Sequence, residues 1–285
     1  MTALLLALVS AVGYGTSDFV GGAVSRRTSA WSVAFVVQST SCVAFLVAAP
    51  FFASAATATD LAWGAVAGVG SGVGISFLFR GFSAGRMSVV APLSAIGAAV
   101  LPALAGFAFG ERVGTLVLLG LAVAIPGIWL VSSGEDAPGE PHRAGAPVAT
   151  ERGVLDGCLA GVGFAVTFVA LDQVGAEAGI WPLFVMQAAS AASVPVLALL
   201  LGVRVFPVPR AAWRAWYGGP VGAVGGLTFF LATTQGLLTV TSVLASLYPA
   251  VTILLAVVLL GERIHRAQTL GLLLCAACVG LVVVG

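Results

Sequence analysis

The chain has 285 residues, of which 60% are hydrophobic and 8% charged, and its 12 basic and 11 acidic residues leave a net charge of +1. A soluble domain carries roughly a quarter of its residues as Asp, Glu, Lys or Arg. This composition therefore excludes a water-soluble fold, a disordered chain and a disulfide scaffold, and it predicts a polytopic membrane protein. Because no basic run is present, we expect no nucleic-acid partner.

Ten apolar stretches are long enough to cross a bilayer, which predicts an all-α membrane protein with ten transmembrane helices. The predicted spans 1 to 10 cover residues 2–24, 30–52, 61–84, 87–109, 113–132, 153–172, 180–202, 214–236, 239–260 and 267–285. Residues 133–152 form the longest polar interruption, with four of the eleven acids and several prolines. This segment is typical of a surface linker.

The two halves of the chain look like a duplication. A shift of 151 residues lays 85–112 over 236–263, and both segments end in Gly-Glu-Arg. Because five spans are an odd number, the second unit must enter the membrane inverted. We therefore expect a first five-helix repeat at 1–132, a cytoplasmic linker at 133–152 and an inverted second repeat at 153–285.

The arginines support the inversion, because the basic loops change position between the halves. Eleven of the twelve arginines fall on one face of the predicted bundle, and only Arg112 falls on the other. The positive-inside rule makes the arginine-rich face cytoplasmic and places both termini outside. The expected location is a bacterial inner membrane.

Three motifs carry a family resemblance. Ala91-Pro92 precedes Gly-Glu-Arg at 110–112, Ser-Leu-Tyr-Pro at 246–249 precedes the same triplet at 261–263, and Thr-Ser-Asp-Phe begins at residue 16. In their order, spacing and duplication, these motifs resemble the drug/metabolite transporter superfamily, in particular its ten-helix EamA type, over the whole chain. Within that family the sequence is most similar to small bacterial metabolite exporters, including the YddG-type aromatic amino acid exporters.

The resemblance implies a central cavity lined by spans 1–4 and 6–9, with spans 5 and 10 peripheral. It further implies alternating access by rocking of the two halves, without an ATP site or any other cofactor. Family members are usually drawn with both termini in the cytoplasm, which is opposite to the orientation that the arginines predict.

Polar side chains inside spans are costly and are therefore candidate substrate contacts. Asp18 is the only acid well inside a span, and it shares a helix face with Tyr14 and, roughly, with Ser17. It is either a proton-coupling carboxylate that can also pair with a substrate amine, or a residue that marks the membrane interface. Arg80 ends span 3 and either neutralises a substrate carboxylate or snorkels to the headgroups.

Gln38 and Gln187 occupy equivalent positions in spans 2 and 7, each followed three residues later by a serine. They are candidates either for substrate contact near the pseudo-two-fold axis or for helix–helix hydrogen bonding. The remaining candidate substrate contacts are neutral: Ser71, Ser76, Ser94, Thr228, Ser246 and Tyr248. Such a lining suits a small zwitterion with an apolar side chain. Glu111 is expected to pair with Arg112 or to cap span 5 rather than to bind substrate.

Glycines and prolines supply candidate packing and hinge positions. Gly68 and Gly72 belong to a four-residue glycine period in span 3, and Gly222 and Gly226 to another in span 8. Such stripes let helices approach closely and either pack statically or slide. The prolines that remove a backbone hydrogen bond within a span include Pro92 and Pro249.

The sequence therefore predicts a secondary active transporter that exports small metabolites, with neutral or aromatic amino acids as the expected cargo and a proton or a second substrate as the exchange partner. A proton-coupled exporter of cationic drugs that uses Asp18 is the alternative. An intramembrane enzyme is less favoured, because no span gathers a His/Asp/Glu or Ser/His set. No metal site and no obligate protein partner are expected besides the lipid bilayer.

Overall fold

In a computed structural model of the chain, the described residues are 1–84, 87–132, 147–260 and 265–284. They form eleven α-helices and three short 3-10 helices, and none of them lies in a strand. The α-helices are α1 (Thr2–Ser25), α2 (Ala30–Ala48), α3 (Ala58–Ser83), α4 (Met87–Ala108), α5 (Thr115–Ser132), α6 (Pro147–Asp172), α7 (Trp181–Leu200), α8 (Gly218–Thr233), α9 (Leu238–Ala245), α10 (Tyr248–Leu260) and α11 (Arg266–Val284).

The helices match the predicted spans closely, with α9 and α10 together occupying span 9 and α11 occupying span 10. Within the described residues, eight helical segments have the length and hydropathy needed to cross a bilayer, α9 and α10 counting as one of them. The apolar part of α5 (Thr115–Val131) and the 16 residues of α8 are shorter than these eight segments. The predicted all-α membrane fold is confirmed. Helix α6 begins at Pro147, six residues before the predicted start of span 6, because proline suits the first turn of a helix.

Span 9 is interrupted between α9 and α10. Pro249 has no N–H to donate to the carbonyl of residue 245, and its ring would clash with that carbonyl in a continuous helix. The proline instead occupies the second position of α10, where a missing N–H costs nothing. Pro92, in contrast, lies inside α4, which stays continuous. The sequence predicts candidate hinge positions at both prolines, and the structure has a break in the helix at Pro249 alone of the two.

Most helices pack against helices from the other half of the sequence. The main pairs are α3 with α6 and α7, α4 with α6 and α9, α1 with α8, α9 and α10, α2 with α7 and α8, and α5 with α11. Exchanging each helix for its counterpart in the other half (α1 for α6, α2 for α7, α3 for α8, α4 for α9 and α10, and α5 for α11) reproduces this set of pairs. This symmetry is consistent with a duplication, and the inversion of the second half stays a prediction. The division of the sequence at residues 133–152 itself stays a prediction, and residues 133–146 lie outside the described part of the chain.

These pairs can be divided into two mixed bundles, which the α2–α7 and α4–α9 pairs connect. We name α1, α2, α8, α9 and α10 the first bundle, and α3, α4, α6 and α7 the second bundle; α5 and α11 pack on each other beside them. Each bundle contains helices from both halves of the sequence. Separating the two sequence halves would therefore disrupt most of the helix packing, whereas separating the two bundles would leave most of it intact.

Candidate functional site

A cavity of about 60 Å³ lies between the two bundles. The first bundle contributes lining residues from α1, α2, α8 and α10, and the second bundle from α3, α6 and α7. Pockets that enclose small molecules typically measure about 300–1,000 Å³. The cavity is therefore smaller than pockets that enclose small molecules.

The cavity brings together about half of the residues that the sequence predicted. The predicted residues that line it are Tyr14, Ser17, Asp18, Gln38, Ser71, Gln187, Gly222, Gly226 and Tyr248. The further lining residues are Val37, Ser41, Ile75, Phe164, Thr167, Phe168, Met186 and Gly219. Most of these further residues are apolar or glycine. The sequence did not identify them, because apolar residues occur throughout a transmembrane helix and not only where it lines a cavity.

Asp18 is the one charged residue among the described residues that line the cavity. Its side chain is buried, with a relative exposure of 7%, and no hydrogen bond or ion pair to it is found in the described part of the chain. Burying a carboxylate without a partner costs far more free energy than burying a neutral polar group. The lining thus offers one acidic group and, among the described residues, no basic group to neutralise it.

Four aromatic side chains line the same cavity as Asp18. The rings of Tyr14 and Phe168 have centroids 6.0 Å apart, and the rings of Phe164 and Tyr248 meet edge to face at 6.4 Å. The faces of aromatic rings attract cations through their quadrupole. The Tyr248 hydroxyl lies 3.1 Å from the Ser94 hydroxyl, which joins α10 to α4 across the two bundles.

The two predicted glutamines meet at the cavity. The Gln38 Nε2 atom lies within hydrogen-bond distance of the Ser71 hydroxyl (2.8 Å), of Gln187 Oε1 (3.4 Å) and of the Ser190 hydroxyl. The Gln187 Nε2 atom in turn donates to the Ser41 hydroxyl. The bonds are reciprocal, since each glutamine binds the serine that follows the other glutamine by three residues. They connect α2 of the first bundle to α3 and α7 of the second, and both glutamines also line the cavity.

Arg80 lies outside the cavity lining. Its Nε atom donates to Asp156 Oδ1 at 2.9 Å, its Nη2 atom forms an ion pair with the same oxygen, and its guanidinium stacks 4.4 Å from the centre of the Phe77 ring. Asp156 is buried on α6, with 1% of its side chain exposed. The guanidinium thus neutralises a carboxylate of the protein, which neither interpretation of Arg80 anticipated. The sequence signal was Asp156 itself, an acid just inside span 6 at the same face as the end of span 3.

Comparison with known proteins finds one matching family and a similar solved structure. A model described as the EamA-like transporter family matches residues 151–284. The match covers slightly less than half of the chain, in its second half. A solved crystal structure of another protein, 17% identical in sequence, superimposes with a TM-score of 0.72 over 99% of this chain and 96% of that chain, and at this identity the likeness shows the fold alone. No curated protein sequence matches the chain.

The eight long apolar helical segments of the described residues indicate an integral, multi-pass membrane protein, and residues 151–284 are similar to the EamA-like transporter family. Among the described residues, no group of three or more His, Cys, Asp or Glu side chains is placed to hold a metal ion.

Five predicted substrate contacts lie off the cavity wall: Ser76, Arg80, Ser94, Thr228 and Ser246. The Thr228 hydroxyl donates to the carbonyl of Val224 one turn earlier, and Ser246 at the break in span 9 is fully buried with no hydrogen-bond partner. Ser76 on α3 is buried and unpaired in the same way.

Of the four glycines predicted as packing or hinge positions, two pack against another helix and two line the cavity. A Cβ atom at Gly68 would meet the Met186 carbonyl oxygen and would lie 2.7 Å from the Ala189 Cβ, so glycine is required for α3 to approach α7 this closely. Gly72 faces the same helix. Gly222 and Gly226 face α1 and the cavity instead.

Proposed function

We propose that this protein is a secondary active transporter that exports a small organic cation with an aromatic or otherwise apolar body. It works in a bacterial inner membrane by alternating access, with the cavity opening to one side and then to the other as the two bundles rock. The observation that carries this proposal is the single carboxylate of Asp18, buried and unpaired on the wall of a cavity between the bundles. The direction of transport follows the family resemblance.

The physical reason is that an unpaired carboxylate in a low-dielectric cavity needs a positive partner. Effective penalties for burying a charge in a protein are several kcal/mol. Either a proton or the ammonium group of a substrate removes this penalty, and each excludes the other. Such competition at one group couples the outward movement of a cation to the inward movement of a proton. The rings of Tyr14, Phe164 and Phe168 supply a wall for the apolar body of the substrate.

A neutral or aromatic amino acid is the second candidate. Its ammonium group would pair with Asp18, and the Ser17 hydroxyl, for which no partner is found among the described residues, would donate to its carboxylate. The geometry favours the amine, because Arg80, the predicted partner of that carboxylate, is engaged by Asp156 outside the cavity.

Counterflow in proteoliposomes separates the two candidates. We expect vesicles loaded with phenethylamine or tryptamine to accumulate the labelled amine at least tenfold faster than vesicles loaded with phenylalanine or tryptophan accumulate the matching amino acid. Faster accumulation of the amino acid than of the amine would support the amino acid hypothesis and contradict the proposed amine substrate. Exchange of neither class, with exchange of a third class from a panel of sugars and organic anions, would contradict both.

The Asp18→Asn variant tests the carboxylate directly. We expect it to insert and fold but to lose amine counterflow, whereas Glu177→Gln, which changes an exposed acid in the loop between α6 and α7, should retain it. Full counterflow in Asp18→Asn would refute the proposed role of the carboxylate.

A further inference from the structure

Glu111 makes a contact that is remote from the cavity and that the sequence did not predict. Its carboxylate accepts a hydrogen bond from the backbone N–H of Leu238 at 2.6 Å and another from that of Thr239 at 2.8 Å. These are the first two residues of α9. The expectation that Glu111 pairs with Arg112 or caps the helix that follows it was therefore wrong, because the carboxylate caps a helix from the other half of the sequence.

The chemistry of this contact is that of a helix cap. The first N–H groups of a helix have no partner within the helix, and they carry the positive end of its dipole. Leu237, the residue that precedes α9, provides no side-chain cap of its own. A carboxylate that receives two such N–H groups makes charge-assisted hydrogen bonds, which are stronger than bonds between neutral groups.

The contact joins the two mixed bundles. Glu111 follows the end of α4, which belongs to the second bundle, and α9 belongs to the first. Because successive spans alternate in direction, this end of α4 and this end of α9 lie on the face that carries Arg112, opposite to the arginine-rich face. Helix α9 then runs inward to the break in span 9, directly before Tyr248 on the cavity wall.

The backbone around the cap leaves no spare room. A Cβ atom at Gly106 would overlap both Glu111 Oε2 and the Thr239 hydroxyl. The Thr239 hydroxyl itself lies 3.3 Å from the carbonyl of Ala103 on α4. The last turns of α4 and the first turn of α9 are thus held together by a carboxylate that reaches α9 only because residue 106 has no side chain.

We propose that Glu111 is a clasp between the two bundles, and that the cavity opens to the Arg112 face only when this carboxylate leaves the N-terminus of α9. The clasp concerns how the cavity opens and not what it binds, so it goes beyond the proposed function and can be tested without a substrate. If no amine substrate is found, the clasp proposal is unaffected. If the clasp proposal fails, the role proposed for Asp18 is unaffected.

Cysteine accessibility tests the clasp. In a full-length chain with Cys42, Cys158, Cys275 and Cys278 replaced by alanine, Ile75→Cys places one thiol on the cavity wall. A membrane-impermeant maleimide is added to one face of the vesicles at a time, and Glu177→Cys in a parallel chain marks the Arg112 face. Adding Glu111→Ala should raise the labelling rate of the cavity thiol from the Arg112 face at least tenfold, with no rise from the other face.

Two further variants separate a clasp from a general loss of structure. Glu111→Gln keeps one oxygen acceptor for α9 and should raise the labelling rate from the Arg112 face by less than Glu111→Ala does. Gly106→Ala keeps the carboxylate but displaces it, and it should raise the labelling rate about as much as Glu111→Ala does. Glu177→Gln, an exposed acid on the same face, should give no increase. Unchanged labelling in both Glu111→Ala and Gly106→Ala, or an equal rise from both faces, would overturn the proposal.

Discussion

The ion pair between Arg80 and Asp156 allows a prediction that separates a structural arginine from a substrate-binding one. Arg80→Ala removes a guanidinium that binds a carboxylate of which 1% is exposed. Breaking a buried ion pair by removing one partner typically costs about 3–5 kcal/mol, because the remaining charge stays buried. Asp156 has a further contact besides Arg80, so the lower end of this range, about 3 kcal/mol, is the expected loss of stability.

Thermal unfolding in detergent measures this loss. At about 2 °C per kcal/mol for a chain of this size, the melting temperature of Arg80→Ala should fall by roughly 6 °C. Asp156→Asn in the Arg80→Ala background should restore part of the loss, since it removes the buried charge that has lost its arginine partner. Arg266→Ala, which changes an exposed arginine at the start of α11, is the control and should melt as the wild type does. A wild-type melting temperature in Arg80→Ala would refute the structural role and would return Arg80 to the set of candidate substrate ligands.

Three further outcomes follow from the packing and the hydrogen bonds. Gly68→Ala should destabilise the protein by about 1–3 kcal/mol, because its Cβ would meet a backbone carbonyl of α7, whereas Gly280→Ala, with nothing within 4 Å of the new Cβ, should be neutral or stabilising in the same melting assay. Gln38→Ala should lower the free energy of unfolding by about 1–2 kcal/mol, because it leaves the partners of Gln38 on α3 and α7 unpaired. Gln235→Ala, at an exposed site after α8, is the control and should leave the melting temperature unchanged. Equal melting temperatures for the two variants would contradict this reasoning. Tyr248→Phe should lower stability by about 1 kcal/mol or less and raise the KM for amine counterflow, since it removes the hydroxyl that holds the ring against α4; an unchanged KM would show that this hydroxyl does not position the substrate.

The sequence predicted the features that depend on local composition and on the repeat. The spans follow from hydropathy, and nearly all the helix boundaries lie within a few residues of the predicted ones. Asp18 and Tyr14 share a cavity because a spacing of four residues places them on one face of α1. The glutamine pair was visible as two equivalent positions, although whether they bind each other or the substrate was left open.

The features that the sequence did not predict depend on which helices become neighbours. Arg80 and Asp156 are 76 residues apart, and nothing in the local sequence indicates that α3 packs on α6. Glu111 is 127 residues from Leu238, and its capping role requires that α4 and α9 end and begin at the same depth. The repeat indicated an inverted pair of halves, but it did not indicate that each mixed bundle would contain helices from both.

The most direct test of the central claim, that a cation and Asp18 meet in the cavity, is substrate protection. A hydrophobic carbodiimide reacts with carboxyl groups in membranes, and mass spectrometry of the purified protein measures the modified fraction at Asp18. We expect a saturating concentration of the transported amine to slow this modification at least tenfold, while the amino acid with the same side chain leaves the rate unchanged. Modification of Asp18 at the same rate with and without the amine would contradict the claim.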